Sequence, residues 1–274
     1  MVSIIICFYE RLDHLRCCLD SIRLSSGHFD EVVITDDGSC ENTVSRLKGL
    51  IPAYDFPINH IWQEKKGFRN AAARNNGIRH AKGDYLIFFD CDFLILPWTV
   101  HEHLKRAKHG KFIAGGYKNM DEATTRETFQ TAITIDLLNR LDRRFAERPL
   151  IKTHRRFIKR TLLMRLHLAP PQKQSLGGHF SIHKKDLERI NGYDENFVGW
   201  GGEDEDLGIR LVRAGVYCRS AIRQAKVLHM WHPPAIAGRH WQKGPNIRYF
   251  NRKEIPIFCE NGLLKPKVFQ SASR

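Results

Sequence analysis

The first ninety residues alternate short apolar runs with segments of helical periodicity. Val2 to Phe8 is a continuous, largely β-branched run, which is typical of a buried strand. Leu12, Leu15, Leu19 and Ile22 then recur at spacings of three and four, which predicts a helix. Repetition of this order predicts a parallel α/β sheet, whose ligands bind beyond the carboxyl ends of the strands. Further strands are predicted at 31–35, 58–62 and 84–89, and further helices at 41–50 and 69–81.

From about residue 111 the alternation weakens. A Gly-rich turn that leads into a strand is predicted at 175–183, and a helix is predicted to start at 185. A helix at 204–214 and a strand at 219–229 follow. The Pro- and Lys-rich tail at 259–274 is predicted to be peripheral. A chain of 274 residues is long enough for one large domain or two small ones with a sizeable core.

The seven cysteines have no regular spacing, and Cys17 and Cys18 are adjacent. This pattern fits neither a disulfide framework nor a paired zinc motif, and the odd number favours a reducing compartment. The N-terminus lacks the basic region of a signal peptide, and no apolar run approaches the roughly 20 residues needed to span a bilayer. We therefore expect a cytoplasmic protein, either free or peripheral on the inner face of a membrane.

The net charge of +14 favours an anionic partner such as nucleic acid, phospholipid headgroups or a phosphorylated substrate. The basic segment 140–165 has ten Lys or Arg residues against two acidic ones, interleaved with apolar residues. One interpretation is a patch that binds an anionic membrane surface, and the other is a solvated helical face. Nucleic-acid binding is disfavoured, because no nucleic-acid-binding module is recognised and acidic clusters elsewhere would repel a phosphate backbone.

Two groups of potential metal ligands follow predicted strands. Asp90-Cys91-Asp92 ends the strand at 84–89, and paired carboxylates suit Mg²⁺ and Mn²⁺. His229 is the last residue of the strand at 219–229 and His232 follows it, and neutral imidazoles also suit a Mn²⁺ site. Each group has a plainer interpretation, since the carboxylates can cap a turn and the histidines can be structural or surface residues. Their order along the chain favours the metal site.

Four consecutive carboxylates, at 203–206, follow Trp200-Gly201-Gly202 at a predicted helix start. The helix dipole and unpaired N–H groups stabilise acidic residues there, so capping explains one or two of them. Four in a row would repel one another unless some bind substrate or a cation. Crowding raises the pKa of a carboxyl group, which suits a general base. Trp200 is either a stacking face for a sugar ring or a core residue.

In this order the motifs resemble the GT-A glycosyltransferases of the family-two type. The C-terminal part is similar to galactosyltransferases and N-acetylgalactosaminyltransferases. The chain departs from the usual pattern in lacking Pro before Tyr9 and in having Glu10 where Asn is frequent. The motifs that carry the resemblance are Cys7-Phe8-Tyr9-Glu10-Arg11, Thr35-Asp36-Asp37-Gly38-Ser39, Lys66-Gly67, Ala73-Arg74-Asn75-Asn76-Gly77, Gly83-Asp84-Tyr85, Asp90-Cys91-Asp92, Gly177-Gly178, Gly192-Tyr193-Asp194-Glu195, Trp200 to Asp206 and His229 to His232.

The resemblance implies one GT-A domain with a mixed central sheet and a Rossmann-like nucleotide-binding half. Residues 1–110 would form the nucleotide-sugar-binding half, and residues 111–258 the acceptor-binding and catalytic half. The implied contacts to the donor are Phe8, Tyr9 and Glu10 around the nucleoside, Asp37 at the base, Arg74 and Asn75 near the nucleotide, Asp90 near the ribose or metal, Cys91 as a further nucleotide-sugar contact, and Gly177 and Gly178 beside the donor sugar.

The resemblance also implies the roles of the catalytic residues. Asp92, His229 and His232 would bind Mn²⁺ or Mg²⁺. Glu203 would hold the acceptor beside Trp200, and Asp204 would be the general base.

The implied reaction is inverting transfer of a hexose or N-acetylhexosamine from a UDP-sugar to a saccharide or lipid-linked saccharide acceptor. An α-linked donor would give a β-glycoside in the synthesis of surface polysaccharide or glycolipid. The alternative is a non-catalytic protein of the same fold that binds nucleotide-sugar or carbohydrate. Such a protein is expected to have lost its base or metal ligands, whereas this sequence retains Asp92, Asp204 and both histidines.

Overall fold

The computed structural model of the protein describes residues 1–170, 177–233 and 241–265 and has a mixed α/β architecture. Four parallel strands form the first half of its main sheet. They are β1 (Val2–Phe8), β2 (Glu31–Asp36), β3 (Ile58–Trp62) and β4 (Tyr85–Asp90). Their order across the sheet is β3-β2-β1-β4. β1 and β4 are buried on both faces, which explains their nearly continuous apolar sequences.

The helices that connect these strands agree with the predicted ones. They are α1 (Leu12–Arg23), α2 (Glu41–Leu50) and α3 (Asn70–His80), and a short 3₁₀ helix (Ile51–Ala53) follows α2. α1 buries Leu15, Leu19 and Ile22, as its periodicity predicted. The strand ends, and therefore the polar motifs that follow them, are confirmed to within one residue.

Three strands from the second half of the chain extend the main sheet beyond β4. β8 (Phe180–His183) pairs antiparallel with β4, and β6 (Lys111–Ala114) pairs antiparallel with β8. β9 (Tyr217–Ser220) then pairs parallel with β6. The central sheet is therefore mixed, as expected. The Gly-rich turn predicted to lead into a strand at 175–183 does so, since β8 begins at Phe180; residues 175–176 lie outside the described residues.

A second, smaller sheet has the order β5-β10-β7 and consists of β5 (Phe93–Ile95), β7 (Gly116–Asn119) and β10 (Lys226–His229). The single strand predicted at 219–229 is therefore wrong. The chain turns at 221–225, where the N–H groups of Gln224 and Ala225 both donate to the carbonyl of Ala221. It leaves the main sheet after β9 and enters the second sheet as β10, which brings His229 opposite Phe93.

The remaining helices surround the two sheets. They are α4 (Thr99–Leu104), α5 (Glu122–Phe129), α6 (Ile135–Arg144), α7 (Arg148–Arg165), α8 (Lys184–Glu188), α9 (Glu203–Arg213) and α10 (Ile247–Phe250), with a second 3₁₀ helix at Trp241–Lys243. The basic segment 140–165 forms the end of α6 and the whole of α7. None of the helices in the described ranges is both long and apolar enough to cross a membrane.

The start of the predicted tail is not peripheral. Cys259 is fully buried, and its carbonyl accepts a hydrogen bond from the side chain of Asn191. Arg79 on α3 donates to the carbonyls of Gly262 and Leu263. Residues 259–265 therefore pack onto the main body, while 266–274 lie outside the described residues.

Candidate active site

The acidic and histidine motifs meet at the carboxyl ends of β1 and β4. Asp90 is the last residue of β4, and Asp92 precedes β5 by one residue. β10 pairs with β5, so His229 lies beside this turn although it is far away in sequence. Ligand binding was predicted at this edge of the sheet, and potential metal-binding side chains from both halves of the chain lie there.

Asp92, His229 and His232 form a compact cluster whose ligand atoms lie within 4.8 Å of one another. His232 Nε2 is 3.2 Å from Asp92 Oδ2, and His229 Nε2 is 3.6 Å from Asp92 Oδ1. The other ring nitrogen of each histidine is fixed by a second contact. His229 Nδ1 lies 3.1 Å from Asn119 Oδ1, and His232 Nδ1 lies 2.8 Å from the carbonyl of Pro233. Such outer contacts orient metal-binding imidazoles.

The cluster has the chemistry of a divalent-cation site. Asp92 Oδ1 is buried and has no hydrogen-bond partner among the described residues. Burial tends to raise the pKa of Asp92, but His229 and His232 outweigh this effect and hold it below its usual range. One anionic oxygen and two imidazole nitrogens suit Mn²⁺ better than they suit an ion that prefers oxygen ligands only. The residues that are present therefore fit the expected metal.

Arg11, to which the sequence assigned no role, also contacts this cluster. Its Nη1 donates to Asp92 Oδ2 at 2.9 Å, and its side chain is about one third exposed. Arg11 belongs to the motif that follows β1. Its position in that loop was the one sequence signal that could have assigned it to the site. It places a positive charge at the edge of the cluster.

A buried arginine joins the carboxylate at the end of β4 to the acidic motif on α9. Arg74 is 2% exposed, its Nη2 donates to Asp90 at 3.1 Å, and its Nη1 donates to Asp204. Tyr193 completes the group by donating its hydroxyl to Asp204 Oδ1 at 3.2 Å. Burial opposes the charge, but Asp204 and the other neighbours raise the pKa of Arg74 above its usual value. Tyr193 lies in a motif quoted above, yet only the fold reveals its contact.

The acidic motif begins α9, and its members have different environments. Gly201 and Gly202 have φ angles of 94° and 96°, which only glycine adopts easily. Glu203 is 5% exposed, and its Oε2 has no hydrogen-bond partner in the described ranges. Its Oε1 accepts from Asn70 at 3.4 Å. Burial, and then the neighbouring Asp204, raise the pKa of Glu203 to about 7.

The fourth carboxylate of the motif is structural. Asp206 is fully buried and pairs with Arg210 at 2.6 Å and with Arg252 at 2.7 Å. Trp200, in contrast, is 36% exposed, which excludes the interpretation as a core residue. An exposed indole beside Glu203 is suitable for stacking on a sugar ring.

Tyr9 and Gly178, both expected on the donor side, differ in their surroundings. Tyr9 is exposed, with Lys65 Nζ 3.3 Å from its ring centroid. A Cβ on Gly178 would overlap the carboxylate of Asp90, so only glycine fits there. Gly177 lines a neighbouring cavity.

The carboxylates of Asp37 and Glu10, near the end of β2, already have protein partners. Asp37 is buried and accepts hydrogen bonds from Gln63 Nε2 and from the Arg69 N–H. Glu10, with φ of 59°, accepts from the N–H of Cys40 at the start of α2. Both carboxylates therefore organise the loops around the expected nucleoside pocket.

Three of the residues expected to contact the donor have buried side chains. Phe8 and Cys91 have buried side chains in the apolar core beneath α1, so only their backbones can approach a nucleotide. Asn75 is fully buried, and its amide nitrogen donates to the carbonyl of Tyr193 at 2.8 Å and to Glu195 at 2.9 Å. It ties α3 to the segment before α9, so its side-chain amide already has protein partners. The sequence does not reveal this, because it shows neither side-chain direction nor the partner segment.

Comparison with known proteins identifies related sequences over most of the chain. The family model described as Glycosyl transferase family 2 matches residues 3–167. A second model, described as the N-terminal domain of galactosyltransferase, matches residues 161–233. Chondroitin synthase of Escherichia coli is 29% identical over 288 aligned residues, which cover 96% of this chain and 40% of that protein. Hyaluronan synthase of Pasteurella multocida is 28% identical, with 93% of this chain and 28% of that protein covered.

Solved structures share the fold at low sequence identity. A mannosyltransferase from Pyrobaculum calidifontis, in complex with GDP-Man and Mn²⁺, has a TM-score of 0.54 and 17% identity over 83% of this chain and 56% of that one. GalNAc-T7, with UDP, GalNAc and Mn²⁺, has a TM-score of 0.59 and 16% identity over 85% of this chain and 44% of that one. The fold is therefore GT-A, while this chain spans less than half of either curated relative.

Proposed function

Because the chain belongs to glycosyl transferase family 2, we propose that it is a metal-dependent, inverting transferase. It moves a hexose or N-acetylhexosamine from a UDP-sugar to a saccharide acceptor during polysaccharide or glycolipid synthesis. The main support is the clustering of Asp92, His229 and His232 within 4.8 Å, next to a carboxylate network that ends at Asp204. Residues 1–110 bind the donor, and residues 111–258 supply the acceptor side and the base.

Asp92, His229 and His232 hold the divalent cation in this proposal. When bound, the cation acts as a Lewis acid for the charge that develops on the leaving diphosphate. Arg11, already at 2.9 Å from Asp92, lies close enough to add a charge-assisted hydrogen bond to the same phosphate oxygens. Solved relatives of the fold that contain UDP or GDP-Man together with Mn²⁺ support the choice of a nucleotide-sugar and of this ion.

Asp204 acts as the general base. Arg74 and Tyr193 both contact its Oδ1, which fixes the carboxylate and leaves Oδ2 for an acceptor hydroxyl. Asp204 takes the proton of that hydroxyl as the oxygen attacks the anomeric carbon from the face opposite the diphosphate. Glu203 binds a second acceptor hydroxyl, and Trp200 stacks on the sugar.

The donor is best identified with a panel of nucleotide-sugars incubated with the purified protein and Mn²⁺, with release of nucleoside diphosphate as the readout. We expect release of UDP from one UDP-hexose or UDP-N-acetylhexosamine, acceleration by acceptor saccharides, and loss of the signal with EDTA. Heat of binding without UDP release would favour the alternative, a non-catalytic protein that binds nucleotide-sugar. Release that is unaffected by EDTA would contradict the metal.

The role of Asp204 as the general base can be tested against a control substitution in the same helical turn. Asp204→Asn keeps the shape of the side chain and removes its basicity, so transfer should fall by at least about a hundredfold. Glu205→Gln removes the next carboxylate, which has no role in the proposed reaction, and should leave the rate near that of the wild type. If the two variants transfer at equal rates, Asp204 is not the base.

A further inference from the structure

Helix α7 presents both cations and aliphatic side chains on its outer face. Ile158, Leu162 and Leu166 recur every four residues and are 52%, 54% and 56% exposed. Arg155 and Lys159 are exposed and lie between them, because residues three and four apart share one face of a helix. These five residues, here called the α7 surface, form one strip about 100° wide on the helix, as expected from 3.6 residues per turn.

The charge of this region has a single sign. From Arg148 to Pro170 the chain has seven Lys or Arg residues and no Asp or Glu. Arg155 and Lys159 form no ion pair within the described ranges, so their charges are available to an external partner. Leu168, 71% exposed, extends the aliphatic part of the strip beyond the helix end.

The inner face of α7 already has its apolar partners. Leu150 and Met164 are buried, and Phe157 packs against the main core. Between this face and β7 lies a cavity of about 480 Å³ that extends to Asn119 and Gly177, beside the histidine cluster. The aliphatic residues of the outer face remain exposed in the fold, and the helix borders a cavity that reaches the candidate active site.

We propose that the α7 surface docks on an anionic lipid bilayer, with the helix parallel to the membrane plane. Its aliphatic side chains enter the boundary between headgroups and acyl chains, and its cations pair with anionic headgroups. A nucleic acid or an acidic polysaccharide would use the cations but would leave Ile158, Leu162 and Leu166 in water. A bilayer uses both kinds of residue. Docking in this way does not depend on the transfer reaction.

Flotation of the full chain with vesicles tests the docking without any substrate. One set of vesicles is pure phosphatidylcholine, and the other contains one quarter phosphatidylglycerol. We expect binding to the anionic vesicles, little binding to the neutral ones, and release of most of the protein at high salt because salt screens the headgroup charge. Absence of binding to anionic vesicles at low salt would overturn the proposal.

Two double variants separate the charged from the apolar contribution. Arg155→Gln with Lys159→Gln should weaken binding about thirtyfold, since each cation near an anionic surface contributes roughly a factor of five. Leu162→Gln with Leu166→Gln keeps the charge and should weaken binding at least about tenfold. If this leucine variant binds vesicles as the wild type does, the surface is purely electrostatic, and an acidic polymer replaces the bilayer as the partner.

The controls replace exposed cationic or aliphatic residues by Gln elsewhere on the protein. Arg46→Gln with Lys48→Gln, on α2, removes the same net charge, and Ile257→Gln removes an exposed aliphatic residue. Both controls should bind as the wild type does. A loss in the controls as large as in the α7 variants would contradict a localised surface. Equal thermal unfolding midpoints for all variants exclude misfolding as the cause of a loss.

Discussion

Replacement of Glu203 by Gln is expected to stabilise the protein at alkaline pH but not at acidic pH. Glu203 is almost completely buried, its Oε2 has no described hydrogen-bond partner, and Asp204 is its neighbour. Gln has nearly the same shape, can still accept the hydrogen bond from Asn70, and never becomes charged. The substitution therefore isolates the free energy of ionising Glu203 in its buried position.

The size and sign of this change in stability follow from the raised pKa of Glu203. Burial, followed by Asp204, raises the pKa of Glu203 from 4.5 to about 7. At about 1.4 kcal/mol per pKa unit, the ionised group destabilises the fold by up to about 3 kcal/mol. The unfolded chain ionises first, so the native state is relatively most stable below pH 4.5. This advantage is lost as the pH rises from 4.5 towards 7, and none of it remains above that range.

Urea unfolding of the wild type and Glu203→Gln, in EDTA at pH 4.5 and pH 8, measures the difference. We expect similar free energies of unfolding at the lower pH and a variant more stable by up to about 3 kcal/mol at the higher pH. Glu205→Gln, the control, should show no such pH-dependent gain. A stability difference for Glu203→Gln that is the same at both pH values would refute the ionisation argument.

Two further substitutions test residues that hold the side chains of the candidate active site in place. Gly178→Ala places a Cβ against the carboxylate of Asp90 and should lower the rate of UDP release on the order of a hundredfold; Gly49→Ala, which meets no atom within 4 Å, should not. Asn119→Ala removes the partner of His229 Nδ1 and should weaken Mn²⁺ binding ten- to a hundredfold by calorimetry. An unchanged rate of UDP release in Gly178→Ala would show that this glycine does not support the site. Unchanged Mn²⁺ affinity in Asn119→Ala would show the same for the asparagine.

The first half of the fold is predictable because its signals are local. Continuous apolar runs and helical spacing locate β1 to β4 and their helices to within one residue. The carboxyl ends of these strands then indicate where Asp37, Asp90 and Asp92 lie. Such signals are short-range properties of the backbone and need no knowledge of partner segments.

The parts that the sequence did not reveal all depend on distant pairings. The second sheet exists because β10 lies between β5 and β7, and no local pattern separates it from β9. Arg74 becomes the link between Asp90 and Asp204 only when three segments meet. Asn75, its neighbour on α3, points the other way and holds the segment before α9 instead. A motif therefore locates a site but does not assign a role to each of its members.

Titration with Mn²⁺ followed by electron paramagnetic resonance tests directly whether Asp92, His229 and His232 hold one divalent cation. We expect one bound Mn²⁺ per wild-type chain and a large loss of affinity in His232→Ala. His28→Ala, the control, replaces an exposed histidine outside the cluster and should bind as the wild type does. If His232→Ala binds Mn²⁺ with the affinity of the wild type, the metal site proposed here is contradicted.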